Sequence, residues 1–249
     1  MSATSTRAVV LRATPYGETS QIARLLTERW GVVSVVARGA RRTGTRSSTH
    51  LEPFTTGELT LHYRDGRELQ TLGSFHVERA RLALASPATR FAGASALVEL
   101  LLRAAPEAPQ AALLESVEQG LDALESCAPS DVAQQVLTSL WQLVAALGFE
   151  PSLDECVRCG EVLVEEEVGR FDFARGGVLC ADCGASASGP RVGPGARAEL
   201  RAFLSTVEPG GTDPSHLGAH LKLLGDFVTY HVAEGRALRS LDLLLGLIG

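Results

Sequence analysis

Two paired cysteines constrain this chain more than any other feature. CVRCG occupies residues 156–160 and CADCG residues 180–184, with twenty residues between Cys159 and Cys180. Each C-x-x-C turns back so that both sulfurs face one centre, and Cys156, Cys159, Cys180 and Cys183 then complete a closed tetrahedral shell. Gly160 and Gly184 let the backbone curl behind the second sulfur of each pair. Disulfides or a thioredoxin-like redox pair do not account for two symmetric pairs, while an iron–sulfur cluster remains an alternative occupant of four thiolates. The intervening EVLVEEEVGRFDFARGGVL alternates as a hairpin does, so the segment reads as a zinc ribbon holding one structural Zn2+ with no position open for water. Glu165, Glu166 and Glu167 argue against that face gripping DNA. Cys127 is expected as a small buried residue late in a helix.

The pattern on either side of the ribbon differs. From Arg7 to Phe75 short runs rich in β-branched residues (RAVVLRAT, QIARLLTE, GVVSVVAR, GELTLHYR, ELQTLGSF) alternate with glycine breaks, and Asp65-Gly66 signals a two-residue hairpin. Five short strands with a longer excursion after the third predict an OB-fold β-barrel. After Ser86-Pro87 the apolar period becomes helical. Phe91, Ala94, Val98 and Leu101 form one stripe, Leu113, Val117, Leu121 and Leu124 another, and Val136, Leu140, Val144 and Leu147 a third ended by Gly148. Leu200, Phe203, Leu204 and Val207 make a further stripe, followed by Leu217, Leu221, Leu224 and Val228 after an Asp213-Pro214 start. The expected fold is α+β and multidomain: an OB-fold barrel over 1–81, an α-helical domain over 82–150 and 190–249, and a four-cysteine zinc ribbon inserted at 151–189.

Charge follows the same division. The chain of 249 residues carries net −6, but residues 1–81 hold 12 arginines against 7 acidic residues, giving +5, and the remainder carries −11. A basic third on an acidic body can hold a polyanion at one place and repel it elsewhere. The cations concentrate in RGARRTGTR, where Arg38, Arg41, Arg42 and Arg46 fall within nine positions of a Gly-, Ser- and Thr-rich loop. Forked guanidinium donors match phosphate oxygens without reading sequence. Against this stands a solvated surface loop that is basic by composition. Arg7, Arg12, Arg24 and Arg29 share the same domain, and Tyr16, Trp30 and Tyr63 near strand ends offer base-stacking surfaces, although each alone reads as edge packing.

Catalytic signatures are missing. The sequence contains no phosphate-binding G-x-x-x-x-G-K-[ST], no H-E-x-x-H, no G-x-S-x-G and no acidic cluster suited to two magnesium ions, so a non-enzymatic role is expected. His216 and His220 at i and i+4 read as boundary histidines. No apolar run approaches bilayer length and the first residues lack a signal-peptide pattern, so a cytoplasmic protein without membrane contact is expected. The apolar SLDLLLGLIG is expected to pack.

The ordered motifs resemble the RecO family of recombination mediators. PYGETSQIARLLTERWG (15–31), ARGARR (37–42), LEPF (51–54), LGFEPSLDECVRCG (147–160), GGVLCADCG (176–184), YHV and RALRSLDLL carry the resemblance from about residue 7 to 245. It implies an OB fold, a helical domain and an inserted zinc ribbon. The implied activity is binding of single- and double-stranded DNA, annealing of complementary strands, and loading of the RecA recombinase together with RecR onto DNA coated by the single-strand DNA-binding protein. It further implies a cytoplasmic protein, nucleoid-associated during repair. Carried over by position are Arg38, Arg41 and Arg42 and the four cysteines; Arg46 joins them on charge alone. The competing reading is a zinc-containing interaction scaffold whose DNA contact is incidental.

Overall fold

The computed structural model describes residues 3–40, 51–104, 108–205, 216–233 and 235–248. The chain forms two compact units, Met1–Ser86 with Ala105–Ser126, and Pro87–Ala104 with Cys127–Gly249.

The first unit is built on five strands: β1 (Thr4–Tyr16), β2 (Ser20–Thr27), β3 (Gly31–Ala37), β4 (Thr56–Leu61) and β5 (Leu69–Arg79). They close in the order β1-β2-β3-β5-β4, with β3 and β5 parallel and the other pairs antiparallel. This is the expected OB-like barrel. Alternation sets its inside: Val10, Ala23, Leu25, Val33, Val35, Leu59 and Leu61 fill the core, so the residues between them face outward. A register shift between Val10 and Arg12 bends β1, which lets one strand pair with both β2 and β4. Gly31, at φ 65°, makes the tight β2–β3 turn. The β4–β5 connection is longer than the Asp65-Gly66 pair predicts, because strand pairing stops at Leu61 and resumes at Leu69. Buried Gln70 takes over the missing ladder bonds: its Nε2 donates to the carbonyls of Arg64 (2.9 Å) and Arg67 (2.7 Å), and its Oε1 accepts from the Arg64 amide (3.1 Å).

Two helices follow in sequence, α1 (Ala88–Ala104) and α2 (Ala111–Ser126), and they part company. The α2 helix belongs to the barrel's unit instead of joining the other helices. It buries Leu113, Val117, Leu121 and Leu124, as its stripe predicts, but its Glu118, Asp122 and Glu125 reach arginines of the barrel strands.

The second unit contains α1, α3 (Val132–Ala146), strands β6 (Gly169–Asp172) and β7 (Gly177–Leu179), the short α4 (Ala181–Gly184), β8 (Arg191–Val192), α5 (Pro194–Leu204), α6 (Leu217–His231) and α7 (Arg239–Ile248). Fully buried Trp141 of α3 packs 5.3 Å from Phe227 of α6, and Phe171 of β6 meets Phe227 edge-on at 5.9 Å, so ribbon and helices share one core. Glu99 of α1 caps α7, its carboxylate accepting from the amides of Arg239 (3.2 Å) and Ser240 (2.9 Å). The tail packs by one face: Leu241 and Leu244 are buried while Leu243 is exposed. Phe91, expected in the α1 stripe, is also exposed, whereas Ala94, Val98 and Leu101 of that stripe are buried. The Asp213-Pro214 start and Val207 lie outside the described residues. Among the described residues no helix is long and apolar enough to cross a membrane.

Candidate nucleic-acid interface and metal centre

The sulfurs of Cys156, Cys159, Cys180 and Cys183 lie within 4.8 Å of one another. A tetrahedron of sulfurs about 2.3 Å from a central zinc has edges of about 3.8 Å, which the 3.9 Å between Cys159 and Cys180 matches. The local fold creates the convergence. Gly160, at φ 80°, returns its amide to the Cys156 carbonyl (2.8 Å), and the Gly184 amide does the same to Cys180 (2.8 Å). Burial pushes the Cys156 thiol up, yet backbone amides of Cys159, Cys180 and Arg158 outweigh it and bring it down to about 6. Cys183 is pushed up to about 12, chiefly by its hydrogen bond with Cys180. Four sulfurs this close cannot all ionise against one another unless a cation sits among them, so the set fits one metal ion and is compatible with zinc.

The expected hairpin is present as β6 and β7, with β8 added on the far side of β6. The acidic triplet sits on the turn before β6, and Glu167 takes a structural role, accepting from the Ala181 amide at 2.7 Å beside the second knuckle. Cys127 lies one residue beyond α2, partly buried and outside the four-sulfur cluster. His216 and His220 share Glu199, the latter at 2.6 Å, and form no three-ligand cluster among the described residues.

The arginines of the first unit divide sharply. Arg7 Nε meets Glu118 at 2.9 Å, and Arg79 meets Asp122 (3.0 Å) and Glu125 (3.3 Å). Arg81 is buried at φ 45°, bonded to Asp122, the Phe54 carbonyl and the Thr56 hydroxyl at 2.5, 2.7 and 2.8 Å. These cations hold α2 and the strands together. Arg12, Arg24, Arg38 and Arg67 are exposed, and among the described residues their guanidinium groups have no ion pair or hydrogen bond.

The register brings two of this set together. Arg12 of β1 lies directly opposite Arg24 of β2, and Arg24 opposite Ser34 of β3. Like charges facing across strands cost the sheet stability, so nothing in the fold requires this pair. Arg38 lies in the turn that directly follows β3, one residue past Ala37. Arg41, Arg42 and Arg46 lie outside the described residues, but Ala40 and Leu51 on either side of them are buried in the barrel core. Trp30 and Tyr63 stack on each other at 4.7 Å and 7°, with Arg29 over Trp30, which leaves them as edge packing; Tyr16 stays 56% exposed. Arg67, overlooked by the sequence reading, sits on the β4–β5 connection, one of the loops with which OB folds engage oligonucleotides.

A family model for the Recombination protein O N terminal matches residues 1–80, and one for the Recombination protein O C terminal matches residues 86–242. The DNA repair protein RecO of Anaeromyxobacter sp. strain K is 39% identical over 203 residues, covering 81% of this chain and 78% of the relative. That of Nocardioides sp. strain JS614 is 30% identical over 239 residues, 92% of this chain and 94% of the relative. That of Desulfitobacterium hafniense strain DCB-2 is 31% identical over 187 residues, 75% and 66% of the two chains. With the two family models matching both parts of the chain in order and relatives 30% to 39% identical over most of its length, the chain belongs to the RecO family of DNA repair proteins.

Proposed function

We propose that this protein is a non-enzymatic mediator of DNA repair and homologous recombination. It binds single- and double-stranded DNA, anneals complementary strands, and with RecR helps load RecA onto DNA coated by the single-strand DNA-binding protein, in the cytoplasm at the nucleoid. The observation that carries this reading is the uncompensated pair Arg12 and Arg24, opposite each other on β1 and β2, with exposed Arg38 in the turn after β3. Annealing needs two phosphate backbones neutralised while base edges stay accessible, and an open barrel face lined by arginines meets both requirements. In this assignment residues 1–81 are the DNA-binding domain, 82–150 with 190–249 the helical domain, and 151–189 the ribbon. Arg38, Arg41, Arg42 and Arg46 supply phosphate contacts. Cys156, Cys159, Cys180 and Cys183 hold one structural zinc ion, whose contribution is folding.

The test is a titration of oligonucleotides at several salt concentrations, followed by strand annealing. Replacing Arg38, Arg41, Arg42 and Arg46 with Ala should flatten the single-strand salt slope by about 0.7 per lost contact. An unchanged slope rejects the assignment. A wild-type protein that ignores DNA at physiological salt but still binds RecR would favour the scaffold reading. For the metal, Cys159→Ala should abolish zinc stoichiometry and loosen the ribbon while the barrel stays folded.

A further inference from the structure

A cleft of about 490 Å³ opens on the barrel where β1 turns into β2 and where β3 ends. That lies within the usual range of about 300 to 1,000 Å³ for small-molecule sites. Val36 and Leu69 contribute its apolar surface, Thr19 and Ser20 its hydroxyls, and Tyr16, Arg38 and Arg67 its remaining sides. Tyr16 is more than half exposed and has no ring partner among the described residues, whereas Trp30 and Tyr63 stack on each other. Exposed aromatic surface at a strand end contributes little to the core and is available to stack on a planar guest. The two guanidinium groups are unpaired among the described residues, and the turn carrying Arg67 is fixed by three hydrogen bonds to Gln70, itself 2% exposed. The cleft is therefore preorganised on its β5 side.

A free aromatic face, an apolar floor, hydroxyls and two separated cations together match one chemical unit: a nucleobase with a phosphate on either side. A base inside a duplex has both faces covered by its neighbours, so only an unpaired base can lie on Tyr16. We propose that this cleft holds one unpaired nucleotide of a single strand, its base stacked on Tyr16 and its flanking phosphates met by Arg38 and Arg67. This rests on the DNA-binding reading above and adds strand selectivity to it. The exposed arginines alone are indifferent to strand number, whereas the cleft prefers a single strand.

The experiment uses the full chain and fluorescence anisotropy with a thymidine single strand of about 16 nucleotides, the upper end of the site size of such barrels, and a duplex of equal length. Tyr16→Ala should weaken single-strand binding by about tenfold or more, since one stacked base contributes a factor of that order, with the salt slope unchanged. Duplex affinity should stay within about twofold and Tyr16→Phe should retain the wild-type value, because stacking needs the ring and not the hydroxyl. Arg67→Gln should lower the single-strand salt slope by about 0.7. Equal loss on both substrates, or no loss on either, overturns the proposal. If the wild type binds and the loop arginine variant weakens it while Tyr16→Ala does not, only the cleft assignment falls. If the wild type binds neither substrate, both readings fall.

Discussion

Arg81 and Arg24 belong to the same small barrel and carry the same charge, yet their surroundings are opposites. Arg81 is buried among a carboxylate, a carbonyl and a hydroxyl; Arg24 is exposed, faces another arginine and touches no acid among the described residues. Among the described arginines of residues 1–81 two populations thus stand apart. One set neutralises the acidic stripe of α2 and holds the unit together. The other contributes no ion pair or hydrogen bond among the described residues. The distinction is physical: buried charge must be paired to be tolerated, whereas an exposed cation can stay solvated until an anion arrives.

The largest effect that would break this comparison is the loss of Arg81. Arg81→Ala removes the guanidinium that donates to the Phe54 carbonyl and the Thr56 hydroxyl and leaves Asp122 with Arg79 alone, and should cost about 3 kcal/mol in urea unfolding. Single-strand affinity, measured where the variant remains folded, should stay within about twofold. A large loss of DNA binding without loss of stability would merge the two populations.

The same rule extends to the second unit, where Arg103 pairs with Glu99, which also caps α7. Burial pushes the Glu99 carboxyl up, but Ser240 and Arg239 amides, the Ser240 hydroxyl and the Arg103 charge together hold it below its ordinary value of 4.5. A carboxyl depressed in the folded state stabilises fully above its unfolded value. That stabilisation is therefore complete above pH 4.5 and fades as pH falls through the lower folded value. Glu99→Gln should cost about 1 to 2 kcal/mol at neutral pH and remove that acid-dependent increment. A urea midpoint whose acid dependence matches the wild type would show that Glu99 is not the group responsible.

Much of this was legible in advance. Strand number, barrel closure and the four cysteines follow from period-two alternation and paired spacing, which are local signals. The partition of the arginines was not, because it depends on which strand positions lie opposite each other and on where α2 packs. The helix did carry a clue: Glu118, Asp122 and Glu125 at i, i+4 and i+7 form an acidic stripe beside its apolar one, a face suited to a basic partner. The Arg12–Arg24 juxtaposition needed the β1–β2 register, which the shift between Val10 and Arg12 hides from simple counting. Asp65-Gly66 misled for a similar reason: dipeptide chemistry marked the turn, but the side chain of Gln70, not the ladder, decides how wide it is.

Arg12→Gln and Arg24→Gln sharpen the comparison by reversing its sign. Each should weaken DNA binding and lower the salt slope by up to about 0.7, since each removes a phosphate contact. Each should also stabilise the barrel by a few tenths of a kcal/mol, because a like-charged cross-strand pair is relieved. Opposite movement of affinity and urea midpoint in one variant is the signature of a residue kept for binding. If both variants lose stability, the pair is structural after all.

The smallest effect expected is at Arg7 and Glu118, the outermost of the paired arginines. Their 2.9 Å contact is geometrically good, and the Glu118 hydrogen bond and charge raise the Arg7 guanidinium above its ordinary value. The Arg7 side chain is nevertheless 54% exposed, so water screens most of the Coulomb attraction. A double-mutant cycle with Ala at both positions should give a coupling of about 0.5 kcal/mol that shrinks with added salt. A coupling above about 2 kcal/mol would mean that pairing, and not burial, is what makes the Arg81 set structural, and the line between the two populations would have to be redrawn by partner instead of by depth.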